Sequence, residues 1–440
     1  MKTRIFTVGA VAVVSAIALA GCAGGSGSEG GSSSDNEGVT LTYWASNQGA
    51  SLDNDAEILQ PELDKFEEQT GIKVNLEVVP WSDLTNNTLA AAVSGQGPDV
   101  LNIGNTNAVT FQSTGAFYAF DDEGFDAIGG KDRFIESALA TGGAEGQDPT
   151  SIPLYSQVYG LYYNKQMFAD KGIEPPTTWE ELVAAAQAFT DPAANKYGIV
   201  IPGGTVNASM HFSYIFAAQN GASPFDKDGN PDFTNDGMVA GVKQYVDLLS
   251  EYHVVNPSAA QYTESTQSAG DFARGDVAMY MAQTSSGNVL AENGMNPDAY
   301  GIVPIPAPEG GDKVSSFVAG TNISIFKNTK HLDAALEFVK FMTSDEEQEI
   351  LNKAYTSLPV VNGVPADAFA DEPEKLETWS EILSDYAIPM SLVPTVQAFQ
   401  ANVGGAVVAL VAKAATGAPI TEDDVRTALK EAQDKMATAG

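Results

Sequence analysis

The stretch from Ile152 to Phe168, IPLYSQVYGLYYNKQMF, constrains the fold of this 440-residue chain more than any other. Pro153 disfavours helix at the residue before it, and the aromatic residues that follow are typical of a strand. Four of these residues are tyrosines, and a buried tyrosine normally needs a partner for its hydroxyl. The cluster therefore faces a ligand or water, or it belongs to an ordinary core strand whose hydroxyls are satisfied internally. Because one α/β unit precedes the stretch and another follows it, we interpret it as a crossing between two lobes, with a cleft at its edge.

Length supports the interpretation of two lobes, because 440 residues exceed what one hydrophobic core usually holds. The charge balance is strongly acidic, with 57 acidic residues against 22 basic ones and a net charge of −35. We therefore do not expect nucleic acid as a partner, since phosphate binding needs clustered Lys and Arg side chains. A cationic ligand such as a polyamine is compatible with this charge.

The N-terminus has the pattern of an export signal. Lys2 and Arg4 precede an apolar run from Ile5 to Ala20, which is short for a membrane span. We therefore assign residues 1–21 to a signal peptide and leave them out of the fold prediction.

The residues Leu19-Ala20-Gly21-Cys22 resemble the bacterial lipobox, and Cys22 is the only cysteine of the chain. The resemblance implies cleavage before Cys22 and a diacylglyceryl anchor on its sulfur; the alternative is a plain signal peptide followed by a chance cysteine. Residues 22–38 are then the lipidated cysteine and a flexible Gly/Ser tether. We expect the folded body at the extracellular face of a bacterial cell membrane. The anchor and tether favour a Gram-positive host, although a lipobox also occurs in bacteria with two membranes.

The body opens with a strand–helix–strand pattern, which implies two parallel strands joined by a crossover helix. The predicted elements, in order, are a strand over Val39–Trp44, a helix over Asp53–Thr70, a strand over Ile72–Val79, a helix over Trp81–Ser94 and a strand over Val100–Ile103. In open α/β sheets the ligand crevice lies outside the carboxyl ends of such strands.

The loops after these three strands carry mainly uncharged donors and acceptors. Their side chains are Ser46, Asn47, Gln48, Trp81, Asn105, Thr106 and Asn107. Such groups suit a neutral ligand rich in hydroxyls; the alternative is that Asn and Ser simply populate loops, as they commonly do. Asp83 and Asp99 are the carboxylates that we expect near this edge.

The second half of the chain is again α/β. Thr178 and Glu181 have the spacing of a capping box at a helix start. A helix over Met210–Ala218 carries His211, and a strand ends near Ala282. From Asp333 onward the pattern is mostly helical.

In this order, the pieces resemble the family 1 extracellular solute-binding proteins of ATP-binding-cassette (ABC) importers, the group that contains the maltose-binding protein. The resemblance covers essentially the whole body. It is carried by the lipobox and by segments that include Gly97-Pro98-Asp99-Val100, Ile152-Pro153, Tyr163-Asn164-Lys165, Pro175-Pro176-Thr177-Thr178-Trp179-Glu180-Glu181-Leu182 and Gly275-Asp-Val-Ala-Met279.

The resemblance implies a two-lobed α/β fold of the type II periplasmic-binding-protein class, with hinge-connected lobes and a ligand cleft between them. With crossings placed near Ile152, Ala282 and Lys327, the N-terminal lobe is predicted as residues 39–151 plus 283–327. The C-terminal lobe is predicted as residues 152–282 plus 328–440. The implied partners are a sugar or oligosaccharide and the permease subunits of an ABC transporter, and we expect a monomer without a cofactor.

In the maltose-binding protein, a carboxylate that grips sugar hydroxyls corresponds to Gln157 here. Two aromatic residues correspond to positions near Ser285 and Gln400. All three are uncharged polar residues in this chain, so the resemblance implies the fold but not maltose itself. The candidate ligand-binding residues are Asn47, Gln48, Trp81, Asn105, Thr106, Tyr155, Gln157, Tyr159, His211, Asn220, Gln283, Ser285, Gly320 and Thr321.

Three hypotheses about function follow. The first is a sugar or oligosaccharide binder, and the second is a binder of a charged solute such as a polyamine. The third is an enzyme such as a glycoside hydrolase, which needs two carboxylates that flank the scissile bond. His211, His253 and His331 show no metal-ligand spacing, and no nucleophile elbow is present. We therefore expect neither an enzyme nor a metal site.

Overall fold

The computed structural model describes residues 38–227, 229–390, 393 and 395–438. The predicted signal peptide, Cys22 and the tether up to residue 37 lie outside the described residues. The strands are β1 (Thr40–Ser46), β2 (Lys73–Val79), β3 (Val100–Gly104), β4 (Ile152–Gln157), β5 (Tyr159–Asn164), β6 (Tyr197–Val200), β7 (Val277–Gln283), β8 (Tyr300–Val303), β9 (Ser316–Phe317), β10 (Ala319–Ile325) and β11 (Ala387–Ile388).

The helices cover the faces of the sheets. They are α1 (Leu52–Thr70), α2 (Trp81–Ser94), α3 (Ala108–Ser113), α4 (Asp122–Ala127), α5 (Glu136–Leu139), α6 (Lys165–Lys171), α7 (Trp179–Phe189), α8 (Val206–Gln219), α9 (Asp236–Ser250), α10 (Ser265–Ala273), α11 (Ser286–Glu292), α12 (Leu332–Met342), α13 (Asp345–Tyr355), α14 (Pro373–Glu381), α15 (Val396–Ala415) and α16 (Glu422–Thr438).

A five-stranded sheet in the order β2-β1-β3-β10-β4 forms the centre of the first lobe. β1 pairs in parallel with β2 and β3, whereas β10 is antiparallel to both β3 and β4. The predicted strand–helix–strand opening is therefore present. α1 is terminated by the following residue, Gly71, which has a φ of 73° that glycine adopts without steric cost.

A four-stranded sheet in the order β6-β7-β5-β8 forms the centre of the second lobe. β6 and β7 are parallel, and β5 is antiparallel to β7 and β8. The predicted capping box starts α7: the Thr178 hydroxyl accepts the Glu181 N–H at 3.2 Å, and the Glu181 carboxylate accepts the Thr178 N–H at 3.3 Å.

The stretch Ile152–Phe168 does cross between the two sheets, but it is not one strand. β4 pairs with β10 in the first sheet, β5 pairs with β7 in the second, and Val158 separates them. The predicted boundary at Ile152 therefore lies about six residues too early. Strand propensity alone carries no information about which sheet a strand joins, because that depends on its pairing partner.

The other predicted boundaries also differ from the sheet pairing. Within residues 283–327, β8 pairs in the second sheet and only β10 pairs in the first. Within residues 328–440, the helices α12 and α13 pack on the first lobe: the Phe338 ring lies 5.1 Å from Tyr43 and 5.3 Å from Phe66. The apolar face of α12 fits the first sheet, a choice that its amphipathic pattern does not specify.

Each lobe has its own hydrophobic core. In the first lobe, Val100 faces the core under α1 and α12, whereas Leu101 and Ile103 face a smaller core with α2 and α3, as strand alternation requires. In the second lobe, α15 packs on α8, α9 and α16. Its length and apolar composition would suit a membrane span. However, side chains such as Phe399 and Val403 are buried in the protein core.

Candidate ligand-binding cleft

A cleft of about 510 Å³ lies between the two lobes and is lined by residues from both. The first lobe contributes the ends of β1 and β3 and the first turns of α2. The second contributes the start of α8, the segment before α10 and the end of β7, while the β4–β5 crossing and α15 close it. The carboxyl ends of the parallel strands therefore meet at the cleft, as predicted.

Most of the predicted site residues lie in this cleft. They are Asn47, Gln48, Trp81, Asn105, Thr106, Gln157, Tyr159, His211, Gln283, Ser285, Gly320 and Thr321. Gly320 has a structural reason to be glycine, because a Cβ there would collide with the carbonyl oxygen of Tyr155 on the neighbouring strand.

Tyr155 was predicted in the cleft, but the structure places it in the first-lobe core. Its side chain is 2% exposed, and its ring meets Tyr355 edge to face at 5.3 Å between centroids. Only the last residue of β4, Gln157, reaches the edge of the sheet. A tyrosine two positions earlier is covered by the core.

Asn220 was also predicted in the cleft and lies elsewhere. Its amide nitrogen donates to the carbonyl oxygen of Phe216 at 2.8 Å and to Gln244 Oε1 at 3.1 Å. The start of α8 faces the cleft, whereas Asn220 follows its last residue. At 1.5 Å per residue it lies about 14 Å beyond His211 along the helix axis.

A buried carboxylate, Asp55, holds the loop that carries Asn47 and Gln48. It accepts the backbone N–H groups of Gln48 at 3.1 Å and Gly49 at 2.9 Å, and the Asn47 amide at 2.5 Å. Burial raises the pKa of Asp55, and these donors oppose that shift. Asp55 lies in the first turn of α1, where the helix dipole favours a negative charge. The loop conformation therefore depends on this carboxylate.

The floor of the cleft is a chain of amides and hydroxyls. Gln157 Nε2 donates to Gln48 Oε1 at 2.9 Å, and Gln48 Nε2 donates to Ser46 Oγ at 3.0 Å and Thr321 Oγ1 at 2.9 Å. From the second lobe, Ser285 Oγ donates to Gln157 Oε1 at 3.3 Å. Since every partner is neutral, the floor presents a mixture of donors and acceptors without charge.

The N-terminal turns of α2 form one wall, which sequence reasoning predicted only in part. Besides Trp81, the cleft is lined by Ser82, Thr85 and Asn86. These residues recur at helical spacing on one face of α2, so a search for polar residues one turn after Trp81 could have found them.

On the second-lobe side, the Tyr159 hydroxyl lies 2.7 Å from His211 Nδ1. The His211 ring also meets Phe317 edge to face at 4.9 Å. Burial lowers the pKa of His211 from 6.5 to about 3, so the imidazole is neutral near pH 7. The same effect raises the pKa of Tyr159 above its usual value of 10, which keeps its phenol protonated.

The acids expected at this edge are not in the lining. Asp99 faces inward, where it accepts the Thr42 N–H at 2.9 Å and the Thr329 hydroxyl at 2.5 Å, and Asp83 does not line the cleft. The carboxylate in the lining is Glu264, which sequence reasoning missed. Its pKa is raised by burial and by the charge of Asp83, and a hydrogen bond to Ser82 opposes the rise.

Two amides in the cleft have polar atoms without a partner among the described residues. They are Asn107 Oδ1, on the turn after β3, and Gln400 Nε2, on α15, and both side chains are at least 94% buried. Buried polar atoms usually have a hydrogen-bond partner, so these two are candidates for contact with a ligand. Among the lining residues described by the structure, Lys and Arg do not occur.

Comparison with known proteins agrees with this geometry. A family model described as bacterial extracellular solute-binding protein matches residues 24–349. The diacetylchitobiose binding protein DasA of Streptomyces coelicolor is 25% identical over 328 residues, 73% of either chain. The maltotriose-binding protein of Pyrococcus abyssi is 26% identical over 340 residues, 74% of this chain and 68% of that one.

Solved structures show the same fold. An ABC transporter solute binding protein from Thermotoga lettingae, bound with α-D-tagatose, superposes with a TM-score of 0.79 at 22% identity, covering 90% of this chain and 100% of that one. The GacH receptor of Streptomyces glaucescens superposes with a TM-score of 0.74 at 21% identity over 91% and 98%. These likenesses confirm the predicted two-lobed α/β fold.

Proposed function

This chain belongs to the bacterial extracellular solute-binding proteins, and from that membership we propose that it is the substrate-binding component of an ABC transporter for a sugar or oligosaccharide. It captures the ligand outside the cell in the cleft between its lobes and delivers it to the permease subunits. The relatives that bind diacetylchitobiose and maltotriose support this ligand class.

One observation supports the choice of a neutral, hydroxyl-rich ligand: among the described residues, the polar side chains that line the cleft are uncharged except for Glu264. A sugar hydroxyl both donates and accepts, which suits amides that offer both functions. Asn107 Oδ1 and Gln400 Nε2 supply one unpartnered acceptor and one unpartnered donor. An uncharged ligand avoids leaving a buried charge unpaired.

Aromatic side chains complete the fit. The rings of Trp81 and Tyr159 line the same cleft, and an aromatic face covers the apolar face of a pyranose ring. We propose that the ligand contacts these two rings together with the other ten predicted residues that lie in the cleft. Asn107 and Gln400 belong to the same binding set.

We further propose that ligand capture closes the two lobes by a hinge motion. Among the described residues, three crossings connect the lobes: Gln157–Tyr159, Phe317–Ala319, and the chain between Val361 and Phe369. They support a division into a first lobe of residues 39–157 and 319–361 and a second lobe of the remaining body. The protein is expected to act as a monomer.

We propose that Cys22, in its lipobox, carries a diacylglyceryl anchor at the outer face of a bacterial cell membrane. The anchor and the Gly/Ser tether together favour a Gram-positive host. Mass spectrometry of the membrane fraction should find Cys22 as a lipidated N-terminus. A Cys22→Ala variant that stays equally membrane-bound would contradict the anchor.

Isothermal titration tests the ligand class. We would titrate the chain from residue 22, with Cys22→Ser to keep it free of lipid, against neutral mono- and oligosaccharides and against spermidine at two salt concentrations. Salt-insensitive binding of one sugar class, micromolar or tighter and worth about 8 kcal/mol or more, is the expected result. If no sugar binds detectably and spermidine binds with an affinity that falls steeply as the salt concentration rises, the polyamine alternative is established instead.

A further inference from the structure

We propose that His211 is a fixed hydrogen-bond donor to the ligand through Nε2–H, and that Tyr159 is the positioning residue that selects this tautomer. The ligand must then place an acceptor oxygen opposite His211. The part concerning the ligand rests on the proposed function, whereas the part concerning the tautomer does not.

The tautomer follows from one short contact. Tyr159 Oη lies 2.7 Å from His211 Nδ1, and either atom could in principle hold the shared proton. A neutral imidazole has one donor nitrogen and one acceptor nitrogen, and a phenol always has a proton to donate. If Nδ1 carried the proton, the Tyr159 O–H would have no acceptor among the residues that the structure describes. Tyr159 therefore donates, Nδ1 accepts, and the imidazole proton is on Nε2.

The ring cannot easily turn away from this arrangement. Tyr159 and Phe317 meet the imidazole edge to face, with centroids 5.7 Å and 4.9 Å away. Across the described part of the chain, no hydrogen bond to His211 Nε2 is formed, while His211 lines the cleft. Because the His211 ring is held in place and its Nε2–H has no partner among the described residues, it favours a ligand that places an acceptor opposite it. A ligand donor at that position would leave both donors unpaired.

The surroundings keep the imidazole neutral over a wide pH range. Burial lowers the pKa of His211 to about 3. The titratable or charged groups on the cleft wall and on the elements packed around it are Tyr159, Tyr214, Tyr280, Asp236, Lys243, Tyr245, Asp247, Glu264 and Lys413. Of these, Lys243 and Asp247 pair with each other at 2.6 Å. The hydrogen bond that His211 donates is therefore expected to stay unchanged between pH 5 and pH 8.

The tautomer can be measured without any ligand. The chain has three histidines, so ¹⁵N spectra of the imidazoles in the Cys22→Ser chain can be assigned with a His211→Gln variant. The expected spectrum shows His211 with an unprotonated Nδ1 and a protonated Nε2, unchanged from pH 8 to pH 5. A proton on Nδ1, or an imidazolium at pH 6, would overturn the proposal. Tyr159→Phe keeps the ring but removes the hydroxyl, so a second tautomer or a titration above pH 5 is expected in that variant.

The proposed hydrogen bond from His211 to the ligand is tested with two variants whose side-chain amides differ in length. The amide nitrogen of His211→Gln reaches the position of Nε2, whereas that of His211→Asn reaches only the position of Nδ1. With a sugar from the titration panel, Asn is expected to weaken binding at least tenfold more than Gln; equal losses in two folded variants would overturn the donor role. If no sugar binds, the proposed function fails while the spectra still decide the tautomer. If sugar binds and the spectra show Nδ1–H, only this inference fails.

Discussion

Gln157 Nε2 donates to Gln48 Oε1 at 2.9 Å, and this bond joins two residues that lie 109 positions apart in the chain. Gln157 Oε1 in turn accepts from Ser285 Oγ of the second lobe at 3.3 Å. Both ends of one amide are thus used, one toward each lobe, at the point where the chain crosses between them. Gln157 therefore fixes the orientation of the Gln48 amide and links the cleft floor to the second lobe.

Replacing Gln157 by Met should weaken sugar binding by about 1–3 kcal/mol, because Gln48 Oε1 and Ser285 Oγ lose their partner while the side-chain volume is nearly kept. Titration calorimetry on wild type and variant measures the difference. Asn220→Ala is the control, since Asn220 was predicted in the cleft but lies outside it. Equal affinities for wild type and Gln157→Met would show that the amide chain has no part in binding.

Replacing Asp55 by Asn should lower both stability and affinity. An amide offers one acceptor oxygen where the carboxylate accepts from Gln48 N, Gly49 N and Asn47 Nδ2. An unpaired buried N–H costs about 1–3 kcal/mol, so denaturant unfolding should show a loss of that size. Asp53→Asn changes an exposed carboxylate in the same helical turn and should leave the free energy of unfolding within about 0.5 kcal/mol. A normal affinity in a folded Asp55→Asn protein would refute the role of Asp55 in holding the cleft loop.

Tryptophan fluorescence should report ligand binding through Trp81. Trp81 is half-buried in the cleft wall, whereas Trp179 and Trp379 are buried in the second-lobe core and Trp44 donates its indole N–H to Glu77 at 2.9 Å. A bound sugar should change the emission of the wild type and of Trp44→Phe. The change should be absent in Trp81→Phe. A full signal in Trp81→Phe would mean that the ligand does not reach this ring.

Acid should destabilise the protein partly through His211. The folded pKa is about 3 and the ordinary value is 6.5, so the unfolded chain binds a proton that the folded chain rejects. Stability from this source is complete above pH 6.5 and falls as the pH is lowered towards 3. At pH 5 the deficit is about 2 kcal/mol. His211→Gln should therefore lose less stability than wild type between pH 7.5 and pH 5, as measured by urea unfolding.

The matched control is His331→Gln, which removes an exposed histidine that lies outside the cleft. Identical pH slopes for His211→Gln and wild type would contradict the burial of a neutral imidazole at this position.

Local signals in the sequence were sufficient for much of the fold. The helix Trp81–Ser94 begins and ends where it was predicted, and the capping box of Thr178 and Glu181 forms as expected. Strand ends were also sufficient to predict several first-lobe residues of the cleft. The loops after parallel strands must meet at one edge, so Asn47, Trp81 and Asn105 converge wherever the helices pack.

Strand pairing and helix packing decided which lobe each element joins and which side chains reach the cleft, because these contacts join residues that are far apart in the chain. The aromatic composition indicated a strand at β4 but not its partner β10, and therefore not the sheet to which Tyr155 belongs. The helical pattern from Asp333 onward predicted α12 and α15 but not the lobe that each covers. Glu264, Asn107 and Gln400 meet in one cleft only through that packing. The sequence by itself determined the elements, the family and the polar character of the cleft edge. Only the tertiary structure decided which side chains face the ligand, because side-chain contacts depend on neighbours that no local pattern specifies.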